Sequence, residues 1–314
     1  MREDLLDFDA AAAAVLDAYG RREYAECLHL ALIARDRFPK HRARTTFWVA
    51  CMRSMTGQPQ AALDELTAGL DRGDWWSDYL LRTDPDLAAA RKLPRFEGIA
   101  RRSGIAFADR GKSDTRPPIV ERPEGRPSSL LIALHGGAGT AEQTAPEWRS
   151  CVSAGSMLVV PESPYRATSD DDERGHDWLS IDASTSVVAD ALTTARLPSE
   201  SELPAVVGGF SQGGRLAARL AITSTPVPWR GAILFGPSPM DAKGIETMPR
   251  DEQPSFWIFV GEDDLSCLEP AHRLSADLDA AGARVELETA PGVGHEYPAD
   301  VGERLARALG YVLA

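Results

Sequence analysis

Residues 207–214 read VGGFSQGG, a valine run that breaks into a serine boxed by glycines. How that break is read decides the fold. Alone the pattern is cheap: with glycine at roughly 7 % of residues, a Gly-x-Ser-x-Gly arises by accident in about one chain in ten. The surroundings carry the information. PAVV lies just upstream, and QGGRLAARLAI lies downstream with Leu216, Leu220 and Ile222 recurring at helical spacing. Strand, sharp turn, serine and helix in that order put a hydroxyl on a strained, exposed corner. Gly209 and Gly213 suit such a corner, because side chains two positions either side of the serine would collide with the packed strand or helix. The helix N-terminus beneath Ser211 favours developing negative charge.

Outward from this turn, the chain has two textures. Beyond residue 128, the apolar runs LLIAL, MLVV, AVV, AILF, FWIFV and VELE alternate with helical patterns. That alternation predicts a mostly parallel sheet with helices on both faces, and the continuous apolarity suits strands buried on two sides. Before residue 103 almost nothing reads as a strand. Apolar stripes run through AAAAVLDAY, EYAECLHLALIARDRF, RTTFWVACMRSM and AALDELTAGL, with Pro39, Pro59, Pro85 and Pro94 at the gaps. Tyr24, Cys27, Ala31, Ala34 and Pro39 align, about 35 residues on, with Pro59, Ala62, Leu66, Gly69 and Asp74. The expected organisation is an all-α domain over 1–103, a Pro/Gly/charge-rich linker over 104–127 with one short edge strand near Ile119 and Val120, and an α/β domain over 128–314.

The totals narrow the function. A chain of 314 residues buries a large core without disulfides or a structural metal. A net charge of −13 argues against nucleic acid and against an anionic membrane surface. Cys27, Cys51, Cys151 and Cys267 are far apart, with neither a CxxC pair nor zinc-ligand spacing, so reduced and mostly buried thiols are expected. The first twenty residues carry acids where a secretory leader needs bases, and no run of 18 apolar residues exists. Cytoplasmic is the expected location.

A serine hydroxyl is a weak nucleophile near neutral pH, so it needs a base, and the base needs an orienting acid. On a strand–turn–helix serine the chain order is serine, acid, histidine. FWIFVGEDDLSC places Asp263 and Asp264 just after a strand, and APGVGHEYP places His295 in a Gly-flanked loop after the next one. His272 sits within a helical stretch, while His29 and His41 fall in the helical region. Upstream, LLIALHGGAGT ends a strand in a glycine-rich turn, where His135 reads as a turn-shaping residue.

Together these features make the segment from about 128 to 314 resemble an α/β-hydrolase, most of all the carboxylesterase/phospholipase group that includes acyl-protein thioesterases. GFSQGG is similar to that group's elbow, LHGG to its oxyanion loop, and G-x-x-D with a Gly-His loop to its acid and base. The resemblance implies Ser211 as nucleophile, Asp264 as acid, His295 as base, and the Gly137 and Gln212 N–H groups as oxyanion donors. It implies cleavage of carboxylic esters or thioesters through an acyl-enzyme, with no cofactor or metal. A peptidase or amidase on the same fold is the nearest rival. A helical-repeat interaction protein with a non-catalytic hydrolase-like domain is the rival from another class. The first hundred residues loosely resemble tetratricopeptide repeats with a closing DPDL…PRF segment, which implies a protein partner, a second copy of the chain, or a cap over the site. The charged loop SPYRATSDDDERGHDW leaves a strand end where open sheets bind ligands, so Tyr165, Arg166, His176 and Trp178 are candidate pocket residues. The acids in that loop, Asp170, Asp171, Asp172, Glu173 and Asp177, read as a solvated charge run rather than a metal site.

Overall fold

Prolines and short polar turns cut the N-terminal chain into helices, and continuous apolar runs of strand length build a sheet from the rest. The computed structural model describes residues 7–114, 116–170, 175–195, 200, 202–248 and 253–314. The chain divides into two units, Met1–Asp114 with Tyr165–Gly175, and Thr115–Pro164 with His176–Ala314.

The first unit contains α1 (Phe8–Gly20), α2 (Tyr24–Arg37), α3 (Arg42–Met55), α4 (Pro59–Asp71), α5 (Asp78–Thr83), α6 (Ala88–Arg91) and α7 (Arg95–Arg110). The Asp7 carboxylate caps α1 by accepting from Ala10 N at 2.8 Å. Helices α2 and α3 pack together, and α4 packs on α3. The small residues Cys27, Ala31, Ala34 and Ala62 are fully buried, as is Leu66. The resemblance to tetratricopeptide repeats stops there. A second repeat needs a long helix after α4, but α5 has only six residues. The cause is Pro85, whose ring pushes Asp84 to φ −63° and ψ 120°, outside the helical region. Helix α7 takes up the space instead and packs on α4 and α5. The expected boundary at residue 103 falls inside α7.

A second difference concerns the charged loop. Its first half completes the helical unit. Ser77 N donates to Ala167 O at 2.7 Å, Ser169 N to Trp75 O at 3.0 Å, and Trp75 N to Ser169 Oγ at 3.0 Å. Asp170 is only 8 % exposed, and its two oxygens accept from Ala43 N at 2.6 Å and Arg44 N at 2.9 Å. Those are orphan donors of the first turn of α3, so a carboxylate far along the chain serves as that helix's cap. Trp76, fully buried beside it, donates from Nε1 to Ala43 O at 2.9 Å.

The second unit holds β1 (Ile119–Glu121), β2 (Ser129–Leu134), α8 (Ala141–Trp148), α9 (Ser150–Ser153), β3 (Ser156–Val160), α10 (Ile181–Ala195), β4 (Ala205–Phe210), α11 (Gln212–Thr223), β5 (Gly231–Phe235), β6 (Ser255–Gly261), α12 (Leu268–Ala280), β7 (Val285–Ala290) and α13 (Val301–Leu313). One seven-stranded sheet has the order β1-β3-β2-β4-β5-β6-β7. Only β1 runs antiparallel, with Ile119 opposite Val160 at the edge. Strand residues alternate between two cores. Leu130, Ile132, Leu134, Val207 and Leu234 face α10, α11 and α12, whereas Leu131, Ala133, Val206, Ile233 and Phe235 face α8, α9 and α13. Because β3 lies on one side of β2 and β4 on the other, the connections part between the carboxyl ends of β2 and β4. Open α/β sheets bind ligands in that crevice.

Asp170→Ala should leave the first-turn donors of α3 buried without an acceptor, costing about 1–2 kcal/mol. Thermal unfolding followed by far-ultraviolet circular dichroism should show a midpoint lower by a few degrees. An unchanged midpoint would mean that this carboxylate contributes no capping energy.

Candidate active site

Ser211 is the residue between β4 and α11, at φ 52° and ψ −115°. A side-chain-bearing residue in that region costs about 1–3 kcal/mol and persists only where its neighbours enforce it. Here Ser211 N donates to Phe235 O at 2.9 Å, and Ser238 N donates to Ser211 O at 3.0 Å. The approach on either side is equally tight. A Cβ on Gly213 would stand 2.3 Å from Leu134 O, and one on Gly209 would stand 2.4 Å from the Gly213 carbonyl carbon. Both positions need glycine for packing, independently of dihedral preference.

His295 Nε2 lies 2.9 Å from Ser211 Oγ, and His295 Nδ1 lies 2.6 Å from Asp264 Oδ2. Of the two candidate acids after β6, Asp263 is exposed and Asp264 is 2 % exposed. The other oxygen of Asp264 accepts from Ser266 Oγ at 2.8 Å and Cys267 N at 3.1 Å. Burial pushes the Asp264 carboxyl up, but His295 and these donors outweigh it and hold it below the ordinary carboxylate range. Burial likewise pushes the His295 imidazolium down, and the adjoining Asp264 carboxylate outweighs it, so the ring keeps its proton above the ordinary histidine value. A Cβ on Gly261 would stand 1.9 Å from Val293 O, so the acid loop and the histidine loop meet backbone to backbone.

Gly137 follows β2, and Gln212 opens α11. A Cβ on Gly137 would lie 3.8 Å from Gln212 Cβ, so the two segments adjoin. Among the described residues, neither Gly137 N nor Gln212 N has an acceptor. Three buried groups hold this loop. His135 donates from Nδ1 to Gly136 O at 2.7 Å and accepts from Ser163 N on Nε2 at 3.1 Å, which fixes a neutral tautomer. Burial takes its pKa down to about 4. Trp178 donates from Nε1 to His135 O at 2.9 Å and from its backbone N to Gln212 Oε1 at 2.8 Å. It is 2 % exposed, so the expected pocket residue is instead a clasp joining the Gly137 loop to the residue after Ser211.

The other expected pocket residues are dispersed. His176 is buried, donates from Nδ1 to Ser163 O, and has Nε2 3.8 Å from Glu162 Oε1. Tyr165 and Arg166 belong to the other unit, where Lys112 Nζ sits 5.8 Å from the Tyr165 ring centroid and Arg166 N donates to Gly111 O at 2.9 Å. The acidic loop is not uniformly solvated. Asp170 is the α3 cap, and Asp177 is 8 % exposed with Oδ1 3.3 Å from where a Gly137 Cβ would stand. Asp171, Asp172 and Glu173 lie outside the described residues. Sequence reasoning passed over Ser238, whose Oγ is 3.2 Å from Ser211 Oγ, and over Trp148, whose Nε1 donates to Tyr297 Oη at 2.9 Å behind the histidine loop. No local signal marks either, since each meets its partner across a long stretch of chain.

No protein-family model and no curated protein sequence matches this chain. Solved structures do resemble it. An uncharacterized protein from Bacillus cereus ATCC 10987 aligns over 97 % of this chain and 98 % of its own, with TM-score 0.52 and 18 % identity. Esterase PE8 aligns over 63 % of this chain and 100 % of its own, with TM-score 0.53 and 17 % identity. A thermostable carboxyl esterase from Bacillus coagulans, solved with glycerol, aligns over 62 % and 93 %, with TM-score 0.51 and 13 % identity. At these identities the likeness is one of fold. The C-terminal part of the chain has the α/β-hydrolase fold, and an all-α region precedes it.

Gly213→Ala should force the α11 turn away from the Leu134 carbonyl and cost about 1–3 kcal/mol or more, because backbone cannot yield as a side chain does. A urea unfolding midpoint that stays at the wild-type value would show that the turn has slack.

Proposed function

We propose that this protein is a serine hydrolase of carboxylic esters or thioesters. The observation that carries the reading is one continuous chain of contacts, Ser211 Oγ to His295 Nε2 at 2.9 Å and His295 Nδ1 to Asp264 Oδ2 at 2.6 Å, with Ser211 on a strained turn. His295 takes the hydroxyl proton as Ser211 Oγ attacks the acyl carbonyl. Asp264 keeps the remaining ring proton on Nδ1 and stabilises the imidazolium that forms. Gly137 N and Gln212 N, with the positive end of α11, receive the developing oxyanion. His295 then protonates the leaving alcohol or thiol, and water, deprotonated by the same ring, releases the acid. That esterase PE8 and the Bacillus coagulans carboxyl esterase share this fold is consistent with acyl-ester chemistry on it.

Ser211→Ala should lower turnover of p-nitrophenyl butyrate by about 10⁴–10⁶ and abolish labelling by a fluorophosphonate. Retention of labelling would assign the nucleophile elsewhere. The pH dependence has a definite sign. The base is the neutral ring, and its proton is held above the ordinary value, so kcat/KM should rise with pH along a limb displaced above about 6.5. Asp264→Asn removes the charge that holds the proton, so the limb should move to lower pH while the rate falls by about 10⁴. A limb that stays in place in the variant would argue that Asp264 does not face the working imidazole.

A further inference from the structure

Asp264, Cys267 and His295 form a triangle whose thiol corner ester cleavage does not need. One ligand atom from each of these three residues lies within 4.8 Å of the others. Cys267 is 2 % exposed, and its Sγ is 3.6 Å from His295 Nδ1. On a tetrahedral zinc ion, thiolate sulfur at about 2.3 Å and imidazole nitrogen at about 2.0 Å stand about 3.5 Å apart. The sulfur–nitrogen spacing is therefore already that of two zinc ligands. A second edge, 2.6 Å from Nδ1 to Asp264 Oδ2, is a hydrogen bond and must open by about 0.8 Å to become a ligand edge. His295 sits between Gly292, at φ 73°, and Gly294 on one side and an exposed Glu296 on the other, in a loop without regular secondary structure. Gly236 borders the triangle without a side chain, since a Cβ there would stand 3.3 Å from Asp264 Oδ2 and 3.6 Å from Nδ1.

We propose that Asp264, Cys267 and His295 form an inhibitory site for a thiophilic divalent cation, with zinc as the fitting ion. The donor set is one carboxylate, one thiolate and one neutral imidazole, so their two negative charges neutralise the ion in a largely buried place. Water completes the tetrahedron. On binding, the Cys267 thiol proton goes to solvent, because a coordinating thiol is deprotonated. The His295 proton leaves Nδ1, which now needs its lone pair for the metal, and the ring's single proton moves to Nε2. That nitrogen then donates towards Ser211 Oγ and can no longer take its proton. Zinc would switch off the nucleophile without touching it. The regulatory part rests on the serine-hydrolase reading, whereas the binding site itself does not.

The test separates the two. Zinc chloride is titrated calorimetrically into the full-length wild-type protein, Ser211→Ala and Cys267→Ala, and cobalt is added in parallel to look for the near-ultraviolet thiolate-to-cobalt charge-transfer band. Wild type and Ser211→Ala should each bind one zinc and show the band. Loss of a group that only supports a ligand weakens binding by about 10–100-fold, so loss of the thiolate itself should weaken it at least ~10-fold and remove the band. In the ester assay, zinc should inhibit wild type and a chelator should restore it. The half-inhibiting concentration for Cys267→Ala, with rates normalised to its own chelator-treated value, should rise by the same factor. Should the alanine variant fail to fold, Cys267→Ser keeps the shape and replaces sulfur with a poor zinc ligand. Equal zinc affinity with and without the Cys267 sulfur overturns the proposal. If zinc binds through Cys267 but no ester or thioester is turned over, the site stands and the hydrolase reading falls. If turnover is normal and zinc does not bind, only the site falls.

Discussion

The first turn of α11 lies against the end of β2 with no side chain between them. A Cβ on Gly213 would be 2.3 Å from Leu134 O and 2.4 Å from His135 O. That single approach forces two others. The chain leaving β4 must reverse within one residue, which drives Ser211 to a positive φ. The loop leaving β2 must pass over the same turn, which sets Gly137 beside Gln212. The proposed nucleophile and oxyanion donors are thus two results of one backbone contact, sited where the sheet's connections part company.

Two histidines flank this contact, and their surroundings drive them in opposite directions. His135 is fully buried with no carboxylate partner in its hydrogen bonds, and burial keeps it neutral, with one ring nitrogen donating and the other accepting. It works as a rigid strut. His295 faces a buried carboxylate and retains its proton more strongly than a free histidine. Pushing like groups apart by environment lets one fold fit the same residue type to a structural duty and to the proton transfer proposed for His295. Trp178 ties the two regions together, stacking on His135 with centroids 4.6 Å apart while its backbone N–H holds the Gln212 side chain.

The parallel sheet was legible because apolar runs of strand length alternate with helical stripes, and these depend on neighbours close in sequence. The serine turn was legible for the same reason. The choice between Asp263 and Asp264 was not, since adjacent carboxylates differ only in which one the β6–α12 turn buries. Trp178 misled because an aromatic residue in a charged loop looks like a pocket wall, whereas its indole N–H satisfies the His135 carbonyl, just past β2 and more than forty residues earlier. Asp170 looked solvated within a run of acids, yet two first-turn N–H groups drew it inside. The helical repeat faded at Pro85, a residue visible from the start, because a periodic stripe does not reveal how short a helix becomes when a proline fixes its end.

The carboxylate that caps α3 comes from the connection between β3 and α10. A chain made from its N-terminus therefore produces α1 to α7 well before the residue that completes them. Until Asp170 emerges, the start of α3 can be satisfied only by water. By then β1, β2 and β3, the strands that form one side of the other unit's sheet, have already been made. The helical unit is first in sequence and cannot be the first to finish. Its completion waits on the synthesis of Thr115–Pro164, the first segment of its neighbour, so any pause in translation between Asp114 and Asp170 would leave an N-terminal domain that is entirely synthesised in its helices and still open at α3.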